Sequence, residues 1–179
     1  MTRAENGRII RRLDLETLLP YLDLHLVGAI NGVRLFKAAH KAWTETPYQE
    51  DFARLHHEIG EERVFLKKFI HALGHRPSLV KLTLARTLSI VSESGPLNPL
   101  NRNRTTGAQL ELEALQSLLR AKEAMWVTLV ELSPDDSASA GDTVFNRSVL
   151  EQKIESARSQ QDTVARIMTE TAEARFLRG

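Results

Sequence analysis

Hydrophobic positions recur every three or four residues along four long stretches of this chain and never in strict alternation, so the pattern predicts helices and no strands. The first stretch runs from Asp14 to about Trp43, with Leu22, Leu26, Ala29, Val33, Phe36, His40 and Trp43 on one face. Asp14 suits an N-cap, and Glu16 suits the positive end of the helix dipole. Pro20 predicts either a kink or the true first turn, with the preceding leucines in a separate short segment. Gly28 and Gly32 predict a close approach by another backbone, and each weakens the helix by about 1 kcal/mol relative to alanine.

The second stretch opens on Thr46-Pro47-Tyr48-Gln49, which reads as a capping box with proline at the first helical position. Its stripe is Tyr48, Phe52, Leu55, Ile59, Glu62, Leu66, Phe69 and Leu73, and Gly74 ends it. The short link back to the first helix makes the two antiparallel. From Gly74 to about Thr106 the pattern changes. One short helix is predicted over Leu79, Leu82, Ala85, Leu88 and Val91, followed by breakers from Gly95 to Pro99 and a basic loop, Asn101 to Arg104. A connection of this length can cross a whole bundle.

Thr106 and Gln109 repeat the capping pattern for a third helix, with Leu112, Leu115, Leu119, Lys122, Trp126 and Leu129 as its stripe and Ser133-Pro134 as its end. The Ser-, Ala-, Gly- and Asp-rich segment from Asp135 to Asp142 is a loop. The fourth helix starts near Asn146, with Phe145 and Leu150 as a hydrophobic staple, and frays near Phe176. Its face (Leu150, Ile154, Ala157, Gln161, Val164, Met168, Thr171) is the most polar of the four, so it is expected to be the least buried. The organisation is a flexible basic arm, 1–13, and one helical domain, 14–179.

Composition adds mainly exclusions. A chain of 179 residues can bury a sound core as one domain. With no cysteine, disulfides and thiolate metal sites are out. The formal net charge of +1 calls for no polyanionic partner, and few aromatics are interleaved with Arg3, Arg8, Arg11, Arg12, Arg102 and Arg104, so nucleic acid is not expected. No apolar run approaches the roughly 18 residues of a membrane span, and the N-terminal residues lack the apolar stretch of a secretory signal; a cytoplasmic location is expected. No phosphate loop or nucleophile elbow appears, and no catalytic residue is assigned.

Two helical hairpins joined by a long crossover resemble the ferritin-like superfamily over nearly the whole chain. The segment from Phe52 to Gly74 is similar to the second helix of such proteins. Leu112-Glu113-Ala114-Leu115, with Lys122 and Trp126, resembles uncharacterised actinobacterial helical-bundle proteins. The resemblance implies an all-α, ferritin-like four-helix bundle whose second and third helices run parallel. It also implies a di-iron site of four carboxylates and two Glu-x-x-His histidines, which this sequence does not supply. Helix one has no glutamate between Leu22 and Ala39, although Asp23 and His25 lie toward its start. The second-helix motif falls on Glu58-x-x-Glu61, without its histidine. Helix three offers Glu111, Glu113 and Glu123, helix four Glu151 and Glu155, and all six histidines (His25, His40, His56, His57, His71, His75) fall in the first half.

Glu62 and Lys122 each interrupt an apolar stripe. They lie fourteen residues past Tyr48 and Ala108, the equivalent starting positions, which puts them at one level if their helices are parallel. A buried ion pair where a metal would otherwise sit is therefore expected, with lysine supplying the positive charge; the competing reading is two side chains reaching solvent at the stripe's edge. His57 and Glu61, at i and i+4, form a solvated pair. His25 and His40 read as core or boundary histidines. The sequence thus predicts a non-catalytic bundle with its di-iron site lost and no cofactor, acting on a protein partner or on a second copy of itself. The alternative is a metal-dependent oxidoreductase with an irregular site of Glu58, Glu61, Glu62 and His25.

Overall fold

The computed structural model describes residues 13–77, 106–133 and 145–177. They form four helices: α1 (Leu15–Ala42), α2 (Gln49–Ala72), α3 (Thr106–Leu132) and α4 (Arg147–Phe176). No strand occurs among the described residues, and none of their helices is long and apolar enough to cross a membrane. The short crossover helix, the basic loop, the 135–142 loop and the arm as far as residue 12 lie outside the described residues.

Asp14 caps α1, accepting hydrogen bonds from the backbone N–H of Glu16 (3.1 Å) and Thr17 (3.3 Å) and from the Thr17 hydroxyl (2.7 Å). These donors, the Thr17 hydroxyl first, hold its carboxyl below the usual range. Pro20 neither starts the helix nor detaches the leucines before it: α1 runs through it, and Leu18, two residues earlier, is buried. The ring sits on the exposed side, and the carbonyl it leaves without an N–H partner belongs to exposed Glu16.

The capping box before α2 is displaced. Glu45 adopts a left-handed conformation (φ 64°), and its N–H, not that of Thr46, donates to Gln49 Oε1 at 2.8 Å. The Thr46 hydroxyl donates to the Trp43 carbonyl (2.6 Å), and the helix proper begins at Gln49. The rings of Trp43, Tyr48 and Phe52 fill this turn from inside, with centroids 5.7 and 5.3 Å from Trp43. At the far end Gly74 supplies the positive φ (79°) that closes α2. Gln109 donates forward to Glu113 at 2.9 Å and makes no capping box with Thr106. Asn146 caps α4 through the Val149 N–H (3.1 Å), with Phe145 and Leu150 buried in one cluster behind it.

The core falls into two apolar clusters, and their membership fixes the helix directions. One joins the start of α1 (Leu18, Leu22, Leu26) to the ends of α2 (Leu66, Phe69, Ile70) and α3 (Met125, Trp126, Leu129) and the start of α4 (Leu150, Ile154). The other joins the end of α1 (Phe36, Ala39, Trp43) to the starts of α2 (Phe52, Leu55, Ile59) and α3 (Leu112, Leu115, Leu119) and the end of α4 (Val164, Ile167). So α2 and α3 run parallel, and α1 and α4 run against them. The helices within each hairpin pack on each other, and α1 also touches α3.

The expected low burial of α4 is corrected. Gln160, Gln161, Thr171 and Arg175 are buried along with its apolar stripe. Gln160 and Gln161 bond to Glu58, Glu62 and Glu123 of the neighbouring helices, and Thr171 and Arg175 to carbonyls of α4 itself, so polarity here marks internal contacts and not a solvent face.

Candidate functional site

Between the two clusters lies a polar layer. α2 contributes Glu62, one turn beyond Ile59; α3 contributes Lys122 and Glu123, one turn beyond Leu119; α4 contributes Ser156, Gln160 and Gln161 between Ile154 and Val164. α1 offers Ala29 and Gly32 at this level and no charged group.

The Lys122 ammonium donates to Glu62 Oε2 and to Gln160 Oε1. The two charged side chains are 15% and 4% exposed, so the pair lies inside the bundle and not at its rim. The second Glu62 oxygen accepts from the Ser156 hydroxyl (2.9 Å) and the Gln160 amide (3.1 Å). That amide also donates to Glu58 Oε2 at 2.9 Å. Both Glu62 oxygens and both ends of the Gln160 amide are therefore engaged, the condition under which a buried charge is tolerable. Burial pushes the Lys122 ammonium down from the ordinary lysine value; the Glu62 carboxylate opposes this without cancelling it.

A second group surrounds Glu123. It accepts from the Gln161 amide (2.8 Å), Arg158 Nε (2.9 Å) and Arg120 Nη1 (3.4 Å). These donors, Gln161 and then Arg158, hold its carboxyl below the usual carboxylate range. The adjacent residues Lys122 and Glu123 thus lead to two separate networks. Helical geometry separates them by about 100°.

Beside the ion pair, between α1, α2 and α3, lies a cavity of about 70 Å³ bordered by His25, Gly28, Gly32, Glu62, Lys122 and Trp126. A Cβ on Gly28 would meet nothing within 4 Å, and one on Gly32 would meet only Ile59 Cγ2, at 3.8 Å. The two glycines therefore border open space; the predicted close approach of another backbone does not occur at either position.

The irregular carboxylate site is not assembled. Glu58 is taken by Gln160 and by Arg54 (3.4 Å), and Glu62 by Lys122. Glu61 is 69% exposed beside His57 (3.5 Å), because it faces away from Glu62 on the same turn. His25 is half-buried against the Tyr21 ring (centroids 4.6 Å apart), and burial pushes its imidazole down. Among the described residues no three histidine or carboxylate groups converge to hold a metal. Of the other ligand positions the resemblance implies, Glu151 pairs with Arg147 (3.0 Å) and Glu155 with Arg158 (3.0 Å).

Ser156, Gln160 and Arg158 escape the stripe reading of α4, which singles out only Gln161. Their signal is Ser156 and Gln160 at i and i+4, facing Glu58 and Glu62 at i and i+4 on α2. No family model, curated protein or solved structure matches this chain.

Proposed function

We propose that this is a non-catalytic bundle of ferritin-like topology in which lysine takes the place of a metal, and that it acts by binding a partner or a second copy of itself. The observation carrying this reading is the Lys122 ammonium seated between Glu62 and Gln160, midway between the two apolar clusters. Two parallel central helices and a crossover too long for a hairpin support the topology. An ammonium there neutralises the inward carboxylate without metal, and its donors use the lone pairs a cation would need. A cytoplasmic location belongs to the same reading.

The test is metal content: elemental analysis of protein purified without chelator, repeated after anaerobic ferrous loading and exposure to air. The expected result is no stoichiometric metal in either sample. Two irons per chain with a carboxylate-bridged spectrum would overturn the reading in favour of the oxidoreductase.

A further inference from the structure

Among the described residues, the arginines beside α4 and the basic side chains between α1 and α2 differ in their partners. Along α4 and the faces next to it, Arg54, Arg147, Arg158 and Arg166 each hold a carboxylate, and Arg166 bridges Asp51 of α2 to Glu170 of α4. On the opposite side, Arg63, Lys67, Lys68, His71 and Arg76 line one groove between α2 and α1. Among the described residues none of these five side chains has an ion pair or a hydrogen bond, and Nε of Arg63 is buried with no acceptor. Arg63, Lys67, Lys68 and Arg76 thus place four formal positive charges without a carboxylate partner along one groove.

The groove also has an apolar wall. Leu26 and Ile30 of α1 and Val64 of α2 face it, and Val64 is 41% exposed. Its volume is about 740 Å³, within the range of small-molecule sites. The two features are separated along the groove. Lys67, Lys68, His71 and Arg76 cluster toward the end of α2, while Ile30 and Val64 extend toward mid-bundle. An α-helix with side chains is about 10–12 Å across and would ride above the crease between two helices already in contact, whereas an alkyl chain enters it.

We propose that this groove binds a single-chain amphiphile with an anionic head, a phosphate monoester or carboxylate, placing the head on Lys67, Lys68 and Arg76 and the tail along Leu26, Ile30 and Val64. The inference rests on reading the protein as a binder and specifies what it binds. Monovalent salt should weaken the complex, because the head group meets exposed cations.

The experiment titrates the full chain with dodecyl phosphate below its micellar concentration, followed by calorimetry and by amide and methyl NMR. Inorganic phosphate, a neutral dodecyl ether and phosphatidylserine vesicles are run in parallel. The expected result is saturable one-to-one binding of dodecyl phosphate, with shifts at Leu26, Ile30, Val64 and Lys67. The Lys67→Glu, Lys68→Glu double variant should weaken it at least tenfold with an unchanged melting temperature, and Val64→Asp should weaken it independently. Four outcomes overturn the proposal: no saturation, equal binding of inorganic phosphate, binding to vesicles alone, or shifts elsewhere in the molecule. Such a failure in a sample that takes up no iron removes only the ligand class; two irons per chain would remove the binder reading itself.

Discussion

Lys122 on α3 donates to Glu62 on α2, sixty residues earlier in the chain, and the pair sits where the upper and lower cores of the bundle meet. Neither residue has another charge of opposite sign bonded to it; the remaining contacts come from Gln160 and Ser156, which are neutral. One buried plus and one buried minus, closed by amide and hydroxyl dipoles, make a pair without net charge. The consequences can be measured.

Lys122 should leave a signature at alkaline pH. Burial holds its ammonium below 10.5, so between the lowered folded value and 10.5 the unfolded chain binds more protons than the folded one. The contribution of this residue to stability therefore rises with pH across that window. Compared with Lys122→Met in urea unfolding, the wild type should gain relative stability as pH climbs toward 10.5. A flat or falling difference would contradict the burial of the amine.

Glu123 should act at the other end of the scale and in the same sense, its contribution also rising with pH. Its folded value lies below 4.5, so its contribution is fully present above 4.5 and is lost as pH falls through the folded value. Replacing it with glutamine, which cannot ionise, should flatten the acid limb of the stability profile. An acid limb of unchanged slope would mean that Gln161 and Arg158 do not hold the carboxylate in solution.

Gly28→Ala should stabilise the protein by about 1 kcal/mol, because a helical glycine is replaced where a Cβ meets nothing within 4 Å. Gly32→Ala should be neutral to stabilising, with its Cβ in ordinary contact with Ile59. Thermal unfolding decides it. A loss of more than about 1 kcal/mol in either variant would mean that the space beside Lys122 is closed in solution.

What the sequence made legible follows from periodicity. Four stripes locate four helices because a helix must bury one face, and Glu62 and Lys122 stand out because a charge inside a stripe demands a partner. The stripe rule fails on α4 for the same reason that it works elsewhere. It scores Gln160 and Arg175 as solvent-facing, yet both are buried: Gln160 bonds to Glu58 and Glu62 of α2, and Arg175 reaches back two turns to the Met168 carbonyl. Short-range signals gave mixed results. Asp14 and Asn146 cap where composition places them, whereas Thr46 and Gln49 are displaced by the left-handed turn at Glu45. Gly28 and Gly32 are legible as weak points in α1, but whether a backbone or a cavity lies opposite depends on packing that no local pattern encodes.

The central claim is that Glu62 and Lys122 depend on each other inside the bundle, and a double-mutant cycle on urea unfolding, with Glu62→Met, Lys122→Met and the pair together, tests it most directly. Each single variant leaves a buried charge without its counterpart and should cost about 3–5 kcal/mol, while the double variant removes both desolvation penalties and should cost much less, giving a coupling above about 1.5 kcal/mol. Additive losses with a coupling below about 0.5 kcal/mol would describe two independent, solvent-screened side chains, and would contradict a lysine standing in for metal at the centre of this fold.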